Sequence, residues 1–135
     1  MNKETIFIDA TNGTLGRIAS FAAKEALKGK EVLILNCANA IITGNKRTTI
    51  SIYKWKRALG GSSLKGPFFP KHSERLMKRT IRGMLPYKKE HGLLALKRIK
   101  CYSDLPKEYE LSKKLTFSST QKSKNITLGE LNKEI

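Results

Sequence analysis

At 135 residues, 39% of them apolar, the chain has the size of a single domain with a modest core. It carries 27 Lys and Arg against 11 Asp and Glu, a net charge of +16. No apolar run approaches the ~18 residues of a membrane span, and MNKETIFIDA lacks the charged and apolar regions of a secretory signal. The expectation is therefore a cytosolic protein with no membrane partner.

The excess charge is concentrated. Residues 1–44 and 103–135 are each close to neutral at +1, whereas residues 45–102 hold sixteen basic groups and only Glu74 and Glu90, a net +14. Such self-repulsion is costly unless a polyanion neutralises it. Nucleic acid is the partner this distribution points to, with a merely solvated basic face as the bland alternative.

Thr5 to Ala10 reads as a short apolar strand. Thr14 is placed to cap a helix whose apolar positions Leu15, Ile18, Ala19, Ala22, Ala23, Ala26 and Leu27 form one stripe, and Gly29 is placed to end it. Glu31 to Asn36 follows as a strand with a three-residue apolar run, the mark of burial on both faces. Strand, helix and strand in about thirty residues make a βαβ unit with parallel strands and a right-handed crossover.

Ala40 to Thr43 reads as a brief third strand that turns at Gly44-Asn45. In the segment beginning at Lys46 a β-branched run also suits a strand, but Thr48, Ile52, Trp55 and Leu59 recur at helical spacing and favour a helix with that stripe inward and Arg47, Lys54 and Arg57 turned away. Residues 60–70, rich in Gly, Ser and Pro, read as a loop. Ser73 is placed to cap the next helix, Glu74 suits its first turn, and Met77, Ile81, Met84 and Leu85 make its expected buried stripe. Arg75, Arg79 and Arg82 line the other face with Lys78 beside them. Like charges at this spacing cost a few tenths of a kcal/mol per pair in an isolated helix, so a chain that keeps them is using the face.

A short helix over Glu90 to Lys97 leads into a strand from Arg98 to Tyr102, with Ile99 and Cys101 inward and Lys100 outward. Residues 103–124 are polar and read as a surface-hugging extension. Thr127 and Glu130 fit a capping box, so a terminal helix should dock through Leu128, Leu131 and Ile135. No internal repeat is present. The organisation expected is one α/β domain over residues 1–110, its basic surface at 45–102, followed by an extension over 111–135 with a short terminal helix.

Catalytic and metal chemistry find little support. The turn Asp9 to Gly16 has glycines only at 13 and 16, so neither the dinucleotide fingerprint nor the phosphate-binding loop spacing is met. Gly13 is read as a tight turn and Gly16 as a point of close helix–sheet packing, with backbone phosphate binding as the alternative. Asp9 has no second carboxylate beside it for acid–base work. Cys37 and Cys101, 64 positions apart, read as buried reduced thiols, and His72 and His91 make no zinc-ligand spacing with them. No cofactor, metal or small-molecule substrate is expected.

At Arg79-Thr-Ile-Arg-Gly-Met-Leu-Pro86 the sequence resembles the universal large-subunit ribosomal protein L-thirteen family. Asn12 to Ser20, Ile42-Thr-Gly-Asn45, Gly66-Pro-Phe-Phe-Pro70, Gly92 to Tyr102 and Pro106-Lys-Glu-Tyr109 are similar to the family's motifs in order and spacing. The length and the Gly-Pro-Phe loop resemble archaeal members, while residues 60–65 depart from the family's aromatic and basic density there. The resemblance implies an α/β/α three-layer fold with a four-stranded, mostly parallel sheet in the order 3-2-1-4. It also implies a structural, non-catalytic role on large-subunit ribosomal RNA, early in subunit assembly and beside neighbouring ribosomal proteins, rather than a stable homo-oligomer.

The RNA-contacting residues expected are Lys46, Arg47, Lys54, Arg57, Lys71, Arg75, Lys78, Arg79, Arg82, Gly83, Lys88, Lys89 and Arg98. Guanidinium forks can grip phosphates in pairs, and folded RNA is read through shape, phosphates and 2′-hydroxyls. Gly83 either admits an RNA backbone or ends the helix. Phe68, Phe69 and Tyr87 either stack on bases or pack their loop onto the core. A non-ribosomal nucleic-acid binder and a nucleotide-dependent enzyme acting at the Gly13–Gly16 turn are the rival readings.

Overall fold

The computed structural model describes residues 4–59, 70–117 and 124–135. The first strand, β1 (Thr5–Asp9), leads through a turn into helix α1 (Leu15–Leu27) and strand β2 (Glu31–Leu35). A short strand β3 (Ile41–Thr43) precedes α2 (Lys46–Ala58). The loop expected over residues 60–70 lies, except for Pro70, outside the described residues, and α3 (Ser73–Gly83), α4 (Glu90–Lys97) and β4 (Ile99–Cys101) follow it in sequence. The chain closes with β5 (Lys114–Thr116), β6 (Asn125–Thr127) and α5 (Leu128–Glu134).

β1 and β2 pair in parallel from Thr5↔Glu31 to Asp9↔Leu35, which completes the βαβ unit. The main sheet is four-stranded and wholly parallel, as expected for this α/β class, and its order is β4-β2-β1-β5. Counted in chain order within the sheet this is the expected 3-2-1-4, but its third strand is Ile99–Cys101 and its fourth Lys114–Thr116, where Ile41–Thr43 and Ile99–Cys101 were expected. After β2 the chain reverses through Asn36, which adopts a left-handed conformation, and a single 3₁₀ turn at Cys37–Asn39. That turn carries β3 out of the sheet, where it pairs antiparallel with β6. β4 takes the vacated edge of β2, and the polar segment Lys114–Thr116 takes the free edge of β1.

Register explains which face is the core. Ile6, Val32 and Ile99 lie side by side, as do Ile8, Ile34 and Cys101, and all belong to or pack on the main apolar cluster. Ile18, Ala19, Ala22 and Ala26 of α1 are fully buried against that face, together with Met77 and Ile81 of α3 and Ala95 of α4. On the alternate register Phe7 faces the other way and meets the Tyr109 ring at 5.3 Å. α5 docks as expected: Leu128 and Leu131 are fully buried and Ile135 packs against the cluster. Thr127 accepts a hydrogen bond from the Glu130 amide at 3.2 Å, one half of the capping box.

Five local expectations change. Gly29 closes α1 in the left-handed region (φ 97°) as expected, but the side chains of Thr14 and Ser73 cap nothing. His72 holds the cap position of α3, and Ser73 is a buried first-turn residue. Met84 lies past the last helical residue and is exposed, while Leu76 joins Met77, Ile81 and Leu85 inside. At the β1–α1 turn it is Asn12 that takes positive φ, and Gly13 that is needed for packing, since a Cβ there would stand 2.7 Å from Ile18 Cδ1. Gly16 faces open space.

The inward face of α2 also differs from expectation. Thr49 is buried, and Ile50 and Tyr53 pack on the core, whereas Ile52, Trp55 and Leu59 are exposed. The expected stripe sits almost opposite the one the fold uses.

Candidate nucleic-acid interface

α3 is amphipathic because its apolar residues recur at 76, 77 and 81 while its four cations, at 75, 78, 79 and 82, fall on the opposite side. Burying that apolar edge against α1 fixes the direction of the basic face. Arg75 and Arg82 are exposed there, and Lys78 and Arg79 half-exposed. The helix lies against β4, so its basic face becomes one wall of a groove of about 630 Å³. Arg75, Lys78, Arg79 and Arg82 line that wall, and Leu96, Lys100, Cys101 and Tyr102 face them.

The ends of the groove are pinned. At the start of α3, Glu74 accepts a hydrogen bond from the Ser103 hydroxyl and ties the helix to the segment after β4. At its end the Arg82 guanidinium lies over the Tyr87 ring, 4.2 Å from its centroid. That cation–π contact restrains a side chain otherwise rich in rotamers, and it answers the question of Tyr87: the ring supports Arg82. Arg79, Arg82, Gly83 and Tyr87 line a smaller hollow of about 130 Å³ that shares Arg79 and Arg82 with the groove.

Gly83 is neither a left-handed terminator nor a packing requirement. Its φ is not positive, Met84 closes the helix in right-handed geometry, and a methyl on its Cα would meet nothing within 4 Å. Gly92 is the reverse case. A Cβ there would collide with the Pro86 carbonyl and approach Pro86 Cγ to 2.9 Å, so α4 can lie against the Leu85–Tyr87 turn only with glycine at 92. That contact sets the exposed Lys88 and Lys89 at the head of α4.

The other expected contact residues divide. Lys71 is half-buried just before α3, and Arg47 and Lys54 are exposed on α2. Lys46 and Arg57 turn toward the C-terminal helix instead: Lys46 pairs with Glu130 at 3.3 Å, and Arg57 donates to the Ile135 carbonyl at 2.7 Å. Arg98 donates to the Ala26 carbonyl at 3.0 Å and so closes the C-terminus of α1. Phe68 and Phe69 lie outside the described residues. Lys100 and Tyr102 were not foreseen as site residues. Strand alternation marks Lys100 as outward, but only the placement of α3 beside β4 makes that outward position a groove wall.

The remaining polar features are structural. The Asp9 carboxylate accepts from the Thr11 amide (3.1 Å), the Thr11 hydroxyl (2.7 Å) and the Asn36 amide (3.1 Å), joining the turns after β1 and β2. Burial raises its pKa, but these hydrogen bonds together outweigh it and hold the group below the ordinary value. Cys37 is buried and Cys101 only half-buried, at the groove wall, a correction to the expectation of two buried thiols. The neighbouring Cys101 sulfur and burial both push the Cys37 thiol up, which keeps it protonated. No cluster of three metal-ligating side chains occurs among the described residues, and no helix there is long and apolar enough to cross a membrane.

Residues 3–108 match the family described as Ribosomal protein L13. The chain belongs to that family. A curated relative, the large ribosomal subunit protein uL13 of Methanosarcina barkeri, is 40% identical over 134 residues, covering 95% of each chain. The proteins of the same name from Picrophilus torridus and Methanocaldococcus jannaschii are 41% and 40% identical over 131 residues, again covering 95% of this chain and 94% and 95% of theirs. The family resemblance read from Arg79–Pro86 and Gly92–Tyr102 thus extends through nearly the whole chain, and the relatives are archaeal, as the Gly-Pro-Phe loop implied. Within the family frame, the Gly-Met-Leu-Pro block is the turn that Gly92 packs against.

Proposed function

We propose that this chain is a structural constituent of the large ribosomal subunit in the cytoplasm, and that it binds large-subunit ribosomal RNA through the α3 groove. The observation that carries this reading is the convergence of Arg75, Lys78, Arg79 and Arg82 with Lys100 from β4 on one groove. A rigid α/β body holding a fixed array of cations fits folded RNA, whose shape and phosphates are the main recognition features. Lys71, Lys88 and Lys89 extend the contact around both ends of α3, and Arg47 and Lys54 extend it onto α2. Lys46, Arg57 and Arg98 contribute charge to the same field while their polar contacts serve the fold. The role is structural rather than catalytic, and it includes early subunit assembly beside neighbouring ribosomal proteins. Residues 1–110 supply the RNA-binding domain and 111–135 an extension that docks back on it.

Two measurements test this. The protein should sediment with the large subunit, and its affinity for the RNA target should fall about 10³–10⁵-fold between 50 and 200 mM salt, as for ~6–10 neutralised phosphates. A flat salt response would rule out phosphate-driven binding.

Gly83 gives a finer test. Replacing glycine by alanine in a helix stabilises by about 0.5–1 kcal/mol when the new methyl is unopposed. Gly83→Ala should therefore keep or raise the melting temperature while weakening RNA binding, because the methyl occupies space that the RNA backbone uses. Undiminished RNA affinity in a folded Gly83→Ala protein would show that nothing approaches that backbone.

A further inference from the structure

α2 turns toward solvent an apolar stripe that the fold does not use. Trp55 is 63% exposed, Ile52 47% and Leu59 40%. They lie at i−3, i and i+4 about Trp55, so they form one continuous strip on the outer face. Arg47 and Lys54, both exposed, run along one side of it. Lys56 lies along the other, over the Tyr53 ring at 5.0 Å. No carboxylate occurs anywhere between Glu31 and Glu74, so nothing on this helix offsets its five cations. On the other side of the helix Ile50 and Tyr53 pack on the core, Lys46 pairs with Glu130 and Arg57 donates to the Ile135 carbonyl.

An indole exposed to that extent, flanked on both sides by cations on an acid-free helix, calls for a partner that is flat and apolar at one point and anionic around it. An unpaired nucleotide has that chemistry: the base presents a π face and its flanking phosphates present charge. We infer that Trp55 is a stacking platform for an unpaired base of RNA, with Arg47, Lys54 and Lys56 gripping the adjoining phosphates and Ile52 and Leu59 contacting sugar edges. This site lies on a different helix from the α3 groove, gives the α2 part of the basic surface, Arg47 and Lys54, a single-stranded segment to hold, and rests on the reading of the chain as an RNA binder. An apolar protein partner would cover the strip equally well but would leave the flanking cations unanswered unless it brought its own carboxylates.

Trp55 is the only tryptophan in the chain, so its emission reports this position alone. The full chain is titrated at low salt with a single-stranded RNA decamer and, separately, with a duplex of the same length. The single strand should quench the emission and the duplex should not. Trp55→Ala should weaken single-strand binding by roughly 10–100-fold and Trp55→Phe should recover most of it, with duplex affinity and melting temperature unchanged. Emission indifferent to bound single strand, or unaltered affinity in Trp55→Ala, overturns the platform and leaves the α3 reading intact if the duplex still binds. Loss of duplex binding with quenching preserved would overturn the α3 reading instead. Emission that shifts only when purified large-subunit proteins are added would make the strip a protein interface and also overturn the proposal.

Discussion

Replacing Arg75, Arg79 and Arg82 together by glutamine should weaken binding to the target RNA by about 10²–10³-fold at moderate salt. The estimate takes about 1–1.5 kcal/mol for each charge-assisted phosphate contact and ~1.4 kcal/mol per factor of ten. The dependence on salt should change with it: each lost contact removes about 0.7–0.9 from the log–log slope, so the triple variant should be shallower by about 2–3. The fold should not follow. Arg75 and Arg82 are exposed, and the buried side of α3 is made by Leu76, Met77 and Ile81, which the substitution leaves in place. Loss of the Arg82–Tyr87 contact, about 0.5–1 kcal/mol at an exposed site, is partly offset by relief of like-charge repulsion along the helix. The decisive readings are the salt slope and the melting curve taken on the same variant. An unchanged slope would place the RNA elsewhere, and a collapsed melting transition would make this face part of the core.

The pattern of what could be read in advance has a physical origin. α1, α3 and α5 were legible because each marks itself locally: the alanine-rich stripe from Ile18 to Ala26, the cation ladder at 75, 79 and 82, and Thr127 three residues before Glu130. The basic groove was half legible for the same reason, since α3 alone supplies one wall. Its other wall depends on β4 lying next to β2, a pairing between Val32 and Ile99 that nothing in either segment encodes. Which segments fill the edges of the sheet was beyond reach for a related reason. The strand beside β1 is Lys114–Thr116, a polar stretch with no strand signature, recruited because β1 has a free edge. α2 shows a different limit. Periodicity correctly gave a helix from Thr48 to Leu59 spacing, but it cannot say which stripe faces the body. Thr49, Ile50 and Tyr53 form a competing stripe that the fold buries. The leftover stripe is then visible as a surface with a task of its own.

Gly92→Ala should be among the most damaging single-methyl changes in the chain, in contrast to Gly83→Ala nine positions away. The two glycines flank the same Met84–Pro86 turn, yet their surroundings are opposite: open space at 83 and the Pro86 carbonyl at 92. The clash at 92 is with backbone, so no rotamer change relieves it, and α4 must move off the turn. Overpacking of this kind costs about 1–3 kcal/mol and occasionally more, and a backbone collision belongs at the upper end. For a domain of this size that is on the order of 10 °C in melting temperature. Displacing α4 also shifts Ala95 and Ile99, both fully buried, and the Lys100 wall that follows them. Gly92→Ala should therefore lose stability and RNA affinity together, whereas Gly83→Ala should separate the two. Thermal unfolding and RNA titration of both variants side by side check this. Equal melting temperatures for the wild type and Gly92→Ala would mean that α4 does not rest on the turn, and the groove geometry derived from that contact would have to be abandoned.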